Sequence, residues 1–148
     1  MSLDDLYREV ILDHFEHPRN RGKLEPHDVY EHGSNPLCGD KLDLYLNFDQ
    51  QGKIKDVKFE GSGCSISQSS ISMLTEAIQG KSYDEIKKII TNFKEMMLEN
   101  KPNPFTEDED LEELASLEGV KKYPVRVKCA LLGWTTLDEA IDKKFIKK

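Results

Sequence analysis

Apolar residues recur along this chain with two different periods, and the changes of period mark out the elements. Leu3, Leu6, Tyr7, Val10, Ile11 and His14 fall at helical spacing. Ser2 and Asp5 stand where a capping pair belongs, and His17-Pro18 stops the run. Residues 19–27 are polar and basic and read as a loop, and Val29 to Pro36 predicts at most a short strand. The period then becomes two. Leu42, Leu44, Leu46 and Phe48 alternate with Asp43, Tyr45 and Asn47, as in a strand with one buried face. Asp49-Gln50-Gln51-Gly52 makes a turn, and Ile54 to Glu60 returns with Val57 and Phe59 inward, completing a hairpin.

Gly61-Ser62-Gly63 is expected to break that second strand. Helical spacing resumes at Ile66, Met73, Leu74, Ala77 and Ile78 and ends at Gly80. This helix also carries Ser65, Ser67, Ser69, Ser70 and Ser72, small side chains that let a loop, a metal site or another helix approach closely. Ser82 with Glu85 opens a further helix whose inner face is Ile86, Ile89, Ile90, Phe93 and Met97, stopped by Lys101-Pro102-Asn103-Pro104. A short helix is expected over Leu111–Leu117. After Tyr123-Pro124, a last helix is traced by Val125, Cys129, Leu132, Leu137, Ala140 and Ile141. The order predicts an α+β fold, a small antiparallel sheet with helices packed on one face, as one domain spanning 1–148.

Charge narrows the choice of partners. The formal net charge is −7, and the segment 99–118 accounts for all of it, with eight acids against Lys101. That block reads as a solvated acidic insertion and argues against nucleic acid as a partner. No apolar run approaches the roughly 18 residues of a membrane span. Met1-Ser2-Leu3-Asp4-Asp5 has no secretory pattern, and three cysteines is an odd count, so a cytoplasmic location is expected.

The cysteines carry the candidate chemistry. Cys38, Cys64 and Cys129 lie far apart with no CxxC pair, which excludes a disulfide framework or a zinc finger. In Cys38-Gly39-Asp40 a thiolate and a carboxylate can reach one ion across a permissive glycine; the alternative is that Asp40 caps a turn or opens the strand. Cys64 falls at a helix N-terminus, where free N–H groups favour a thiolate, against the alternative of a small buried residue. Cys129 lies on an apolar stripe and alone would read as core. Three thiolates and one carboxylate suffice for a tetrahedral zinc or one iron–sulfur cluster. Such an anionic site needs cations nearby. Arg126 should share the helix face of Cys129, and Lys128 is adjacent. His14, His17, His27 and His32 have no paired ligand spacing; His14 reads as a satisfied, half-buried side chain and His17 as a complement to a helix dipole.

Three ordered motifs resemble the U-type iron–sulfur cluster assembly proteins: Asn35-Pro36-Leu37-Cys38-Gly39-Asp40, Phe59-Glu60-Gly61-Ser62-Gly63-Cys64-Ser65-Ile66-Ser67, and Tyr123-Pro124-Val125-Arg126-Val127-Lys128-Cys129-Ala130. Leu6-Tyr7 through His14 and Pro18-Arg19-Asn20 fit as well, so the likeness covers nearly the whole chain. Within that superfamily it is most similar to the SufU branch. Lys128 stands where IscU scaffolds have histidine, Tyr123-Pro124-Val125-Arg126 replaces their Leu-Pro-Pro-Val-Lys chaperone motif, and the 99–118 segment looks like an insertion of that branch.

The resemblance implies a SufE/NifU-like fold and a zinc site made by Cys38, Asp40, Cys64 and Cys129. It implies a zinc-dependent sulfurtransferase that accepts persulfide sulfur from a pyridoxal-phosphate cysteine desulfurase of the SufS type. Cys38 is expected to be the acceptor, because a glycine-flanked loop thiolate can move. A downstream iron–sulfur scaffold or a thiol reductant would receive the sulfur. The alternative is a scaffold that assembles a [2Fe-2S] cluster on the same ligands.

Overall fold

Three antiparallel strands form a meander in the order β1-β2-β3: β1 (Val29–Asn35), β2 (Asp40–Phe48) and β3 (Ile54–Ser62). The computed structural model describes residues 3–99, 101, 104–105 and 111–146. Around the sheet stand α1 (Leu3–Glu16), α2 (Ser65–Ile78), α3 (Tyr83–Leu98) and α4 (Pro124–Phe145), with a run of 3-10 turns over Glu112–Lys122. Leu42, Leu44 and Leu46 of β2 and Val57 and Phe59 of β3 join one buried cluster with α2, α3 and α4, so the period-two pattern buries its apolar face as expected. This is the expected α+β arrangement.

Each boundary has a local cause. Ser82 caps α3 through its side chain while Glu85 reaches back to the cap's N–H, a complete capping box. Proline at the start of α4 sets its first turn, where a missing N–H costs nothing. The turn between β2 and β3 places Gly52 at φ 81°, a conformation that glycine adopts without strain.

The serines of α2 face inward. Ser70 Oγ donates to the Ala130 carbonyl at 2.7 Å and accepts from Trp134 Nε1–H at 3.1 Å. Trp134 in turn stacks on Phe93, with ring centroids 4.5 Å apart. Two helices approach this closely because small residues meet at the crossing; a Cβ added to Gly133 would come within 2.8 Å of Ile71 Cγ1. The crossing fixes α4, and with it Cys129, against the start of α2.

Several elements differ from expectation. The stretch 29–35 is a full strand, paired with β2 from Val29–Leu46 to Asn35–Asp40. Gly61 and Ser62 continue β3 rather than ending it. At Gly61 a Cβ would strike the Lys41 carbonyl, so glycine there lets the strands close. Residues 112–122 form 3-10 turns, not a short α-helix, and the buried Leu111, Leu114, Leu117 and Val120 explain why. Their spacing is three, the repeat of a 3-10 helix. Tyr45, assigned to the polar face, is buried beneath Tyr30 and His27. Val125 is 64% exposed, because the first turn of α4 overhangs the core and Val127 turns inward instead. Ser2 lies outside the described residues, as do Asn100, residues 102–103 and residues 106–110 of the acidic stretch.

Gly33 offers a test of the β1–α4 contact. A Cβ there would collide with Thr136 Oγ1 and press on Leu132, and Thr136 is held in place by its bond to the Leu132 carbonyl at 2.8 Å. Gly33→Ala should destabilise by about 1–3 kcal/mol, a fall of roughly 3–10 °C in Tm. Adding Thr136→Ala should cost less than the sum of the two single changes in a thermal-denaturation cycle. Strict additivity would show that the two residues do not meet.

Candidate metal centre

The turn after β1 presents the first candidate ligand. Asn35 and Asp40 face each other across the β1–β2 pair, which leaves Pro36-Leu37-Cys38-Gly39 as the connection. Cys38 N–H bonds back to the Asn35 carbonyl at 3.2 Å, and Gly39 takes φ 71°, with open space where a Cβ would stand. Leu37 at the tip is 74% exposed. Cys38 thus sits half-buried on a short turn with an exposed tip.

Asp40 is different. It opens β2 at 1% exposure, and its Oδ1 accepts the Cys64 N–H, at the N-cap of α2, at 3.0 Å. The close approach requires Gly63, which takes φ 147°; any Cβ there would run into the Asp40 carboxylate and Ser67 Oγ. The other carboxylate oxygen, Oδ2, is buried with no hydrogen-bond partner among the described residues. A buried carboxylate oxygen left unpaired costs several kcal/mol unless a cation or proton meets it.

Cys129 closes the site from α4. It is wholly buried, its Sγ lies 3.0 Å from Cys38 Sγ, and Asn35 Nδ2 approaches it at 4.0 Å. Burial first, and then the neighbouring Cys38, Asp40 and Cys64, push its thiol well above the ordinary range. Arg126 lies one turn earlier on α4 with an exposed side chain, near enough to the thiols of Cys129 and Cys64 for both to act on its guanidinium. They hold it even more firmly protonated than usual. Arg126 therefore lies towards the cysteines as the i, i+3 spacing predicts, and both Arg126 and Lys128 are exposed.

One sulfur of Cys38, one carboxylate oxygen of Asp40 and one sulfur of Cys129 lie within 4.8 Å of one another. Cys64 is not within that triad, though its thiol is near enough to both Cys129 and Arg126 to affect their titration. The donor set fits zinc. Two thiols, an orphaned buried carboxylate oxygen and a third thiol at the rim form a borderline-soft donor set with an arginine nearby. Sequence reasoning missed Asn35, Gly63 and Ser67, which shape the cradle. A glycine directly before Cys64 was the available signal, since its φ matters only where another group crowds the backbone.

With this fold and ligand cluster, the chain is of the iron–sulfur assembly class. Residues 6–144 match the NifU-like N terminal domain, and the chain belongs to that family. It is 41% identical over 143 residues to the zinc-dependent sulfurtransferase SufU of Bacillus subtilis, covering 97% of this chain and 94% of the relative. It is also 41% identical over 138 residues to the iron–sulfur cluster assembly scaffold protein IscU of Thermotoga maritima, covering 93% and 94%. A crystal structure of an iron–sulfur cluster assembly scaffold protein for the SUF system, a SufU of Fervidobacterium islandicum, superposes with TM-score 0.83 at 40% identity, covering 95% of this chain and 99% of that one.

The thiols should differ in reactivity in metal-free protein. A thiol whose pKa is raised forms thiolate only at correspondingly higher pH, so Cys129 should lag. In chelator-treated protein at pH 8, iodoacetamide should modify Cys38 and Cys64 at least about tenfold faster than Cys129, with the gap narrowing as pH rises. Mapping by digestion and mass spectrometry reads the order. Cys129 reacting first would contradict the geometry.

Proposed function

We propose that this chain is a zinc-dependent sulfurtransferase of iron–sulfur cluster assembly. In this reading it takes persulfide sulfur on Cys38 from a cysteine desulfurase of the SufS type, with Cys38, Asp40, Cys64 and Cys129 as the metal ligands. The observation that carries the proposal is the asymmetry of the site. Asp40 and Cys129 are buried and pinned by strand and helix, whereas Cys38 rides a glycine-hinged turn exposed at its tip. Of the ligands, Cys38 can leave without disturbing the core.

A zinc ion in this site would keep the thiols deprotonated and shield them from stray oxidation. The chain's own residues do the rest. Released Cys38 thiolate attacks the outer sulfur of the desulfurase persulfide; a bond forms between Cys38 Sγ and that sulfur, and the bond to the desulfurase cysteine breaks. The desulfurase cysteine leaves as a thiolate, so no external oxidant or reductant is needed. Arg126 stays beside Cys129 and Cys64 and offsets their negative charge while Cys38 is away. A recess of about 310 Å³ lined by Tyr7, Ile11, Leu12, Ile66, Tyr123 and Arg126 opens next to the ligands and suits a partner's docking. A scaffold or thiol reductant would then collect the sulfur. Among the described residues no helix is long and apolar enough to cross a membrane, and three free cysteines suit the reducing cytoplasm. We read residues 1–148 as one domain with an acidic insertion around 99–118.

A second reading has support in the relatives named as scaffolds: the same four residues would hold a [2Fe-2S] cluster. Cys38→Ser separates the two. Under the transfer reading, the variant folds and docks but takes no sulfur. Wild-type protein mixed with desulfurase and free cysteine should gain one sulfur on the peptide containing Cys38. An adduct on Cys64 or Cys129 with Cys38 unmodified would overturn the acceptor assignment. Arg126→Glu should lower desulfurase stimulation at least several-fold while Tm moves only a few degrees, as for most surface substitutions. A large Tm loss with full stimulation would make Arg126 a structural residue.

A further inference from the structure

A second cluster of ligand-type side chains lies away from the cysteines. His14 on α1 is wholly buried, and its Nε2 points to Glu113 Oε1 at 3.2 Å and Glu76 Oε1 at 3.8 Å. Those two carboxylates come from the 3-10 segment and from α2, and each is nearly half exposed. The three ligand atoms lie within 4.8 Å of one another. A surface recess of about 310 Å³, lined in part by Glu76, Gln79, Lys81 and Glu113, gives access from solvent.

The ring is held from behind. Ser72 Oγ is 2.8 Å from His14 Nδ1 and accepts the Arg19 N–H at 2.9 Å. Ligating histidines commonly place their second nitrogen on such an outer partner, which fixes the ring orientation. In the metal-free ring Nε2–H donates to Glu113; with a cation at Nε2 the proton stands on Nδ1 and donates to Ser72 Oγ. One guanidinium is near. Arg19 Nε is 3.9 Å from Glu76 Oε1, but its Nη2 is paired with Asp13 at 2.6 Å. Among the described residues, the carboxylates of Asp13, Glu76 and Glu113 stand against Arg19 and against Lys81 at the wall of the recess, so acids outnumber bases on the side facing Nε2.

We propose that His14, Glu76 and Glu113 form a second divalent-cation site, distinct from the cysteine centre, for a first-row ion such as Mn²⁺ or Fe²⁺. One imidazole nitrogen and two carboxylate oxygens are harder donors than the thiolates of Cys38 and Cys129, so the two sites select different metals. The ion would tie α1, α2 and the 3-10 segment together. That segment leads directly through Tyr123 into α4, so the tie steadies the turn that carries Arg126.

The test uses full-length protein whose cysteine centre is first filled with zinc, and Mn²⁺ as the probe. Loss of the free aqua-Mn²⁺ electron paramagnetic resonance signal counts bound ions, while zinc content is checked to show that none is displaced. Wild type should bind one Mn²⁺ per chain. Glu76→Gln and Glu113→Gln, both at half-exposed positions that leave the fold intact, should each weaken binding at least about tenfold. Mn²⁺ at about ten times its Kd should raise Tm by roughly 3–6 °C in wild type and not in Glu113→Gln. No Mn²⁺ binding below about 1 mM, or equal binding by wild type and both variants, would overturn the proposal. No sulfur chemistry enters the measurement, so its outcome is independent of the transfer reading.

Discussion

A carboxylate buried at the start of a strand organises this end of the molecule. Asp40 has one oxygen fixed by the N–H of Cys64, its Oδ2 is buried without a hydrogen-bond partner among the described residues, and its carboxylate lies beside the sulfurs of Cys38 and Cys129. An arrangement of that kind is costly on its own, by several kcal/mol, and becomes favourable when a cation completes it. Much of the surrounding structure follows. Gly63 lets α2 begin against the carboxylate, and the exposed Arg126 brings a positive charge near Cys129 and Cys64.

Rigidity is distributed unevenly around that carboxylate. Cys129 is placed by the α2–α4 crossing, where Ser70, Gly133, Ile71 and Trp134 leave no slack. Cys64 is placed by the N-cap of α2. Cys38 depends on a short turn with an exposed tip, held to Asn35 by its own N–H on the Asn35 carbonyl and by the Leu37 N–H on Asn35 Oδ1. Two pinned sulfurs and one on an exposed turn make the asymmetry on which the proposed transfer role rests. A purely structural zinc module would gain nothing from the loose corner.

Much of this was legible in the residues. The hairpin, the capping box of α3 and the inward faces of α2 and α3 follow from periodicity and end signals, because packing there obeys local preference. Cys38, Asp40 and Cys129 converge as the motifs suggested, whereas Cys64 lies beside the triad rather than within it. The rest needed tertiary information. β1 carries Glu31, His32, Gly33 and Ser34, and becomes a strand because β2 offers it a partner edge. Tyr45 sits on a nominally polar face but is covered by His27 and Tyr30, which arrive from a loop. His14 was read as half-buried; the 3-10 segment, nearly a hundred residues away, is part of what encloses it. The three-residue spacing of Leu111, Leu114, Leu117 and Val120 was visible in the chain, yet short segments of that period are easily read as α-helix.

X-ray absorption at the zinc edge, recorded before and after adding the desulfurase, tests the central claim most directly. The account predicts a centre of three sulfur ligands and one oxygen ligand in the isolated protein, with one sulfur replaced by a lighter ligand in the complex as Cys38 departs. A sulfur count that stays unchanged on complex formation, or a resting centre without the Asp40 oxygen, would contradict it.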